Sequence, residues 1–294
     1  MRKLLIVGLV GASLGLASCG AQASIDQAVS SLGSSANLQL HFTGSVSGTG
    51  SAKVQKVLNV LSLDMNYSNP SGGALSQAGE IPNVEILINA GSQTLADVRV
   101  VDSNVYALVN ISAVASVPGV NLPATQVASM QLLLGGRWFE LPKSLLTSLA
   151  PTPTATATAK ADKEAAAARA IFGELSTLIA NTPYTSLPNG GYSETGTLAS
   201  VVNAVLPTID TLSGATPPAK NVKGTYTLTV TASGSTATGG SITVTAPSGV
   251  AGQGNESVGL DVSVAHASVD VVAPSGATII TPSLFQGLLS QAGG

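Results

Sequence analysis

The sequence predicts an α+β protein that is mainly β, and three observations lead to this prediction. Apolar and polar residues alternate in several short runs, which is typical of strands with one covered face. Helical spacing is confined to residues 25–32 and residues 161–180. Charged residues make up only 9% of the chain whereas glycine and hydroxyl residues are abundant, a composition that suits an exported β protein.

The first residues have the layout of a secretory signal peptide. Arg2 and Lys3 precede an uncharged, mostly apolar run over residues 4–16. As a helix this run would span roughly 20 Å, which is short for a hydrocarbon core of about 30 Å. A signal anchor that extends through Ser24 is the alternative, because Gly, Ser and Ala are tolerated in membrane helices.

The single cysteine of the chain, Cys19, directly follows Leu16-Ala17-Ser18. This stretch resembles the lipobox of bacterial lipoproteins, in which the thiol receives a diacylglyceryl group and the leader is cut before the cysteine. The resemblance implies a leader at residues 1–18 and a lipidated tether at 19–23 on the extracytoplasmic side of a membrane in the cell envelope. The mature chain is long enough for one large β domain or two smaller ones, and we expect a single domain at 24–294. Two acyl chains hold a protein stably, whereas one holds it marginally. An inert thiol in an ordinary leader is the alternative, although exported chains usually pair their cysteines.

A short helix and six strands are predicted in the first half of the chain after the tether. A capping box at residues 24–27 predicts a helix that begins there and stops at Gly33. The first strand carries Leu38, Leu40 and Phe42 on one face and His41 on the wet face. Further strands are predicted at residues 61–68, 84–88, 97–101, 105–109 and 137–141, with residues 102–104 as a hairpin turn.

The second half begins with an insertion at about residues 150–182. Its Pro/Thr/Ala-rich part, residues 151–158, predicts an exposed loop, and residues 161–180 predict a helix. A turn follows at 189–191, and a hairpin joins strands near 226–230 and 242–245 through a loop at 233–240. The strand at 258–264 must break or bulge near His266, because Val269 and Val271 take up the opposite parity. The prediction amounts to about nine to eleven strands of ordinary length.

Composition and motifs favour a protein without catalysis, metal or cofactor. Loss of Arg2 and Lys3 with the leader leaves ten basic and fifteen acidic residues, and the net charge moves from −3 to −5, which does not favour nucleic acid as a partner. Beyond the predicted leader, the chain has no Gly-x-Ser-x-Gly elbow and no His-Glu-x-x-His run. The remaining candidates for chemistry are isolated: Asp64, Glu85 and Asp261 are expected on solvated faces, and Trp138 marks either a ligand surface or core. An enzyme with a polar site assembled in space stays a third alternative.

The order of these segments resembles the mycobacterial lipid-carrier lipoproteins of the LprG and LppX type, and the related carriers of the LolA kind. The corresponding stretches are IDQAVSSLGSSANLQLHFTG, VRVVDSNVYALVN, GRWFELP and TYTLTVTASGSTATGGSITV. The resemblance implies a strongly curved antiparallel sheet, a half-open barrel whose concave face is partly closed by helices and encloses a cavity for acyl chains. It therefore implies a non-catalytic carrier of lipid, glycolipid or another apolar ligand.

Six apolar residues of the alternating strands are predicted to face such a ligand: Leu38, Leu40, Phe42, Tyr106, Leu228 and Val230. A concave apolar surface of this kind needs a ligand, a partner or helices to keep water off it. In the alternative, the helices at 25–32 and 162–180 fill the hollow and these residues are ordinary core. The protein would then be a structural or partner-binding envelope lipoprotein with no ligand cavity.

Overall fold

The structure, a computed structural model, describes residues 21–48, 52–77, 82–141, 184–188, 191–203, 222–247 and 254–281, together with residues 170 and 283. Cys19, the leader, the Pro/Thr/Ala-rich loop, the predicted helix at 161–180 apart from Ala170, and most of the predicted turn at 189–191 lie outside these residues. In the described part of the chain, strands predominate over helices, which confirms the prediction of a mainly β protein.

The strands and helices have the following bounds. The strands are β1 (Asn37–Ser47), β2 (Leu61–Ser68), β3 (Asn83–Ala90), β4 (Gln93–Val101), β5 (Asn104–Val109), β6 (Phe139–Leu141), β7 (Thr185–Ser186), β8 (Tyr192–Thr197), β9 (Thr225–Ser233), β10 (Thr236–Pro247), β11 (Asn255–Ala265) and β12 (Thr278–Ile279). The helices are α1 (Ala21–Ser34), α2 (Ala52–Leu58), α3 (Ile111–Ser116) and α4 (Ala124–Leu134), with a 3₁₀ turn at Leu75–Gln77.

The described residues fall into two compact units. The β2–β6 unit comprises those within Ala36–Phe42, Lys56–Thr152 and Ala265–Gly294, and its strands follow the order β12-β6-β5-β4-β3-β2 and then the beginning of β1. The β8–β11 unit comprises those within Met1–Ser35, Thr43–Gln55 and Pro153–Val264, with the order β11-β10-β9-β8-β7. The pairings from β2 to β6 and from β7 to β11 are antiparallel, and β12 pairs with β6 in parallel.

The sheet of the β2–β6 unit has two chemically distinct faces. Residues paired across neighbouring strands share a face, and the register gives a polar face with Asp64, Asn66, Ser68, Asn83, Glu85, Asp97 and Arg99. The opposite, apolar face carries Leu61, Leu63, Met65, Val84, Ile86, Ile88, Val98 and Val100. The polar face is the better covered one: four of its side chains are buried, whereas every residue named on the apolar face is partly or largely exposed.

A segment from the end of the chain, residues 269–277, covers the polar face. The side chain of Val271 packs against Val101, Tyr106 and Trp138. Its carbonyl accepts a hydrogen bond from Asn83 Nδ2 at 3.0 Å. The backbone N–H of Val271 donates a hydrogen bond to the Ser68 hydroxyl of β2 at 3.2 Å. These bonds satisfy polar groups that would otherwise be costly to bury.

Helix α3 covers one end of the apolar face. Its Ala113 forms a buried cluster with Leu95 and Val117, against which Leu61 and Val57 pack. The helix begins sharply because the Asn110 side chain accepts a hydrogen bond from the backbone N–H of Ala113, an N-cap worth about 1 kcal/mol.

The β8–β11 unit also has two distinct faces. One is a hydroxyl face on which threonine and serine follow one another across the strands: Thr195, Thr227 and Thr243 in one row, and Thr197, Thr225, Thr245 and Ser257 in the next. The opposite face is apolar and carries Leu228, Val230, Ile242, Val244, Val258, Leu260 and Val262. Helix α1 contacts β9 and β10, and Ser31 Oγ accepts a hydrogen bond from the Ala237 N–H at 3.2 Å.

Local turn chemistry explains which predicted elements are right. The predicted hairpin between β4 and β5 is confirmed, and Asp102 and Ser103 form its two-residue turn with φ of 51° and 68°. The predicted end of a strand near His266 is also confirmed, since β11 stops at Ala265.

Three predictions are wrong in detail. The helix predicted to begin at Ser24 begins at Ala21 and ends at Ser34. A loop was predicted at residues 233–240, but the connection is a turn of two residues, because β9 ends at Ser233 and β10 begins at Thr236. Strand β10 has a bulge between Ala237 and Gly239 that alternation alone does not reveal. The described residues form twelve strands where nine to eleven were predicted. Strands β7 and β12 have two residues each, too few to show a pattern, and the longer strand β8 was not predicted either.

Candidate functional site

The apolar face of the β8–β11 unit is incompletely covered. Its most exposed members are neighbours: Ile242 pairs with Leu260, and Val244 pairs with Val258. Ile242, Val258 and Leu260 expose 41%, 55% and 46% of their surface. Scattered exposed apolar residues are normal, but adjacent ones on one sheet face form a patch that marks an interaction site.

A carboxyl group lies at the covered end of this face. Glu194 of β8 pairs with Leu228 of β9, so its side chain shares the apolar face. Glu194 is only 1% exposed. The Tyr226 hydroxyl donates a hydrogen bond to Glu194 Oε1. The other oxygen, Oε2, has no hydrogen-bond partner in the described part of the chain.

The Tyr226 ring packs directly on Gly196, which has no side chain to block it. Gly196 pairs with Tyr226, and a Cβ built on it would lie 2.6 Å from both Cζ and Oη of the ring. The ring therefore lies over the glycine and its hydroxyl reaches Glu194, two residues along β8. An unsatisfied buried acceptor costs about 1–3 kcal/mol, so Glu194 Oε2 is a place where a donor from a ligand would be stabilising.

The sequence prediction missed this pair. Strand β8 was not predicted, because Tyr192-Ser193-Glu194-Thr195-Gly196-Thr197 has a single large apolar residue and so lacks a clear alternation. Glu194 is found only through its register with β9.

The six residues predicted to face a ligand are divided between the two units. Leu38 and Leu40 are buried and Phe42 is half-buried, all in the β2–β6 unit. Leu228 and Val230 are half-buried on the apolar face of the β8–β11 unit.

The prediction for Tyr106 is wrong in one respect. His41 bonds Asp64, so these two residues share a face, and Leu40 points to the opposite one. Tyr106 pairs with Arg99 on the polar face, where it contacts Val271. Tyr106 therefore lies on the opposite face from Leu38, Leu40 and Phe42. The register of β4 with β5, which no local pattern gives, decides this.

An ion-pair cluster occupies the centre of the polar face. The Arg99 guanidinium lies 2.8 Å from Glu85 and 2.9 Å from Asp97, and its centre lies 4.8 Å from the Trp138 ring. Burial would lower the pKa of Arg99, but the hydrogen bond and charge of Asp97 and the charge of Glu85 outweigh it, so the pKa is raised. Trp138 thus contributes to packing on the polar face, in agreement with its interpretation as core.

A second group of hydrogen-bonded polar side chains is more exposed than the ion-pair cluster around Arg99. His41 Nδ1 lies 2.5 Å from Asp64 Oδ1, and Asn89 donates to the other Asp64 oxygen at 2.6 Å. Thr94 donates in turn to Asn89 at 2.9 Å. The carboxylates Asp64 and Glu85 are therefore engaged by neighbouring side chains and do not face each other across a cleft.

A hollow of about 260 Å³ lies beside α3, lined by Gln93, Asn110, Ser112, Ala113 and Ser116. Four of these five residues are polar and none is a predicted ligand residue, whereas a site for an acyl chain is lined mainly by apolar side chains. In the described residues no three His, Cys, Asp or Glu side chains are grouped as metal ligands would be. Among the described helices, none combines the length and apolar character needed to cross a membrane.

The sequence matches no protein-family model, and no curated protein is significantly similar to it.

Proposed function

We propose that this protein is a membrane-anchored lipoprotein of the cell envelope that binds or carries lipid or another apolar ligand and catalyses no reaction. Cys19 is its lipid attachment site, and the tether holds the protein on the extracytoplasmic side. The strongly curved, half-open barrel implied by the resemblance is part of this proposal.

One observation carries the ligand-binding proposal. The neighbouring residues Ile242, Leu260 and Val258 keep roughly half of their surface in contact with water. At about 25 cal/mol per Å², covering such side chains with an acyl chain is favourable by about 1 kcal/mol or more for each residue. A scaffold with a fully packed sheet would instead cover these side chains with its own helices.

The β2–β6 unit supports the same proposal independently. Helix α3 covers only the end of its apolar face near Leu61, and Ile86, Ile88 and Val98 beyond it remain partly exposed. A sheet that buries its polar face and leaves its apolar face partly open suits a protein whose apolar face is completed by a ligand.

Lipid binding is tested by organic extraction of the purified protein followed by mass spectrometry, and by uptake of a fluorescent fatty acid. Leu260→Ser is expected to weaken uptake about tenfold, because it removes an apolar contact worth about 1.5 kcal/mol. Asp261→Ser is the matched control, since Asp261 is the next residue and lies on the hydroxyl face. Absence of bound lipid together with absence of uptake would refute the proposal.

The anchor is tested separately by Cys19→Ala. The variant is expected to move from the membrane fraction to the soluble fraction, because both acyl chains are lost. Retention in the membrane fraction would favour the signal-anchor alternative.

A second candidate, a partner-binding lipoprotein, is favoured by helix α4. None of its residues is buried, and Leu132 is 75% exposed. This candidate predicts that Leu132→Ser abolishes partner binding and that fatty acid uptake is absent in every variant. The uptake measurement therefore separates the two functions.

A further inference from the structure

The apolar face of the β8–β11 unit contains a row of four side chains with a carboxyl at one end. Glu194 pairs with Leu228, Leu228 with Ile242, and Ile242 with Leu260. Since strands lie about 4.8 Å apart, the row is roughly 14 Å long. It runs from a buried polar atom, across a half-buried leucine, to two side chains that are 41% and 46% exposed.

We propose that this row binds a single-chain amphiphile whose head donates a hydrogen bond to Glu194 Oε2 and whose tail lies over Leu228, Ile242 and Leu260. The inference rests on the proposed function and specifies its ligand: an alcohol or another hydrogen-bond donor at the end of an aliphatic chain. The acceptor without a partner in the described part of the chain, Glu194 Oε2, and the exposed side chains of Ile242 and Leu260 lie on one face of the sheet and in one row.

The chemistry of the head group follows from the state of the two oxygens. Tyr226 already donates to Oε1, whereas Oε2 has no partner in the described part of the chain. A carboxyl oxygen accepts hydrogen bonds and repels another carboxylate, so this end of the row binds a fatty alcohol more tightly than a fatty acid anion.

Entry to Glu194 requires movement, because the residue is 1% exposed. Among the described residues, few contacts hold the edge beside it. Strand β7 has two residues and pairs with β8 at Thr185 with Ser193 and Ser186 with Tyr192. Local opening is easiest where few contacts must break, so the head enters at this edge.

The test compares three probes that differ only in the head: dodecanol, dodecylamine and dodecanoate. Each is titrated against the full-length protein loaded with N-phenylnaphthylamine, and loss of the fluorescence of this apolar dye reports binding. The native protein is expected to bind dodecanol and dodecylamine about tenfold more tightly than dodecanoate, the factor that one hydrogen bond of about 1.4 kcal/mol gives.

Glu194→Gln replaces one carboxyl oxygen by an NH₂ donor without changing the size of the side chain. It is expected to abolish the preference for the donor heads and to strengthen dodecanoate binding. Asp261→Asn is the control, because it changes the net charge equally on the opposite, hydroxyl face. If Glu194→Gln does not fold, Tyr226→Phe replaces it, and this variant frees Oε1 and should bind dodecanol more tightly than the native protein does.

The outcomes separate the two proposals. If all three probes bind equally and neither the Glu194 nor the Tyr226 variant changes that, the head-group site is refuted while apolar-ligand binding stands. If none of the probes displaces the dye, both proposals fail for this unit. If the preference for the alcohol is kept in Asp261→Asn and lost in Glu194→Gln, the site is established.

Discussion

The packing of Tyr226 over Gly196 can be tested by a single methyl group. In Gly196→Ala the new Cβ would lie 2.6 Å from two atoms of the ring, closer than real Cβ contacts. The neighbour is an aromatic ring held between strands, so it cannot yield as the flexible end of a long side chain would. The ring must shift, and its hydroxyl then loses the hydrogen bond to Glu194.

The expected loss of stability combines three effects. Overpacking costs about 1–3 kcal/mol, and loss of a hydrogen bond to a carboxyl group costs about 1.5–3 kcal/mol. Replacing glycine by alanine also restricts the unfolded chain, which stabilises the protein by about 0.4–1 kcal/mol. Gly196 does not have a left-handed φ, so alanine adds no backbone strain. The free energy of unfolding should fall by about 1.5–5.5 kcal/mol.

Urea-induced unfolding followed by circular dichroism measures this change. Gly254→Ala is the matched control, because nothing lies within 4 Å of a Cβ at Gly254 and its φ is not left-handed either. Tyr226→Phe should cost about 1.5–3 kcal/mol on its own, since it removes the hydroxyl and keeps the ring. The double variant should lose less than the sum, because the hydrogen bond is lost only once. If Gly196→Ala unfolds at the same urea concentration as the native protein, the packing argument is wrong.

Three further predictions follow from the described contacts. Burial raises the pKa of Tyr67 above its ordinary value of 10.0, so the stability that its neutral phenol contributes is present below about pH 10 and lost as pH rises through the folded-state pKa. Tyr67→Phe should remove one phenol that ionises above pH 10 from an alkaline absorbance titration, and an unchanged titration would contradict this. Ser103→Gly relieves a left-handed φ of 68° and should raise the free energy of unfolding by about 0.5–1 kcal/mol, seen as a higher Tm. Arg99→Met leaves the carboxylates of Glu85 and Asp97 without their shared cation and should lower the free energy of unfolding by about 3 kcal/mol. It should also shift the fluorescence of the single tryptophan, Trp138, and native fluorescence in this variant would exclude the cation–π contact.

Local signals in the sequence account for the elements that were predicted correctly. The hairpin over β4 and β5 has its turn residues, Asp102 and Ser103, between two runs of β-branched residues, so all the necessary information lies within a dozen positions. The end of β11 follows from a change of parity at His266 for the same reason. The loop predicted at 233–240 failed because glycine and threonine are typical of a loop and equally compatible with a bulged strand.

The candidate site depended on non-local pairing. Glu194 acquires its role only because β8 pairs with β9 and brings the carboxyl beside Leu228 and under the Tyr226 hydroxyl. Neither residue carries a motif, and they lie more than thirty positions apart. Tyr106 was assigned to the wrong face because both neighbours in Val105-Tyr106-Ala107 are apolar, so alternation does not distinguish the two faces there.

The sequence by itself determined where the strands with clear alternation lie and which of their residues share a face, because both follow from the two-residue period of an extended backbone. Only the tertiary structure decided which face is covered. In the β2–β6 unit the polar face is buried because residues 269–277 pack on it, and in the β8–β11 unit a carboxyl is buried beside an open apolar track. Burial depends on what distant segments bring to a surface, and alternation within one strand carries no information about those segments.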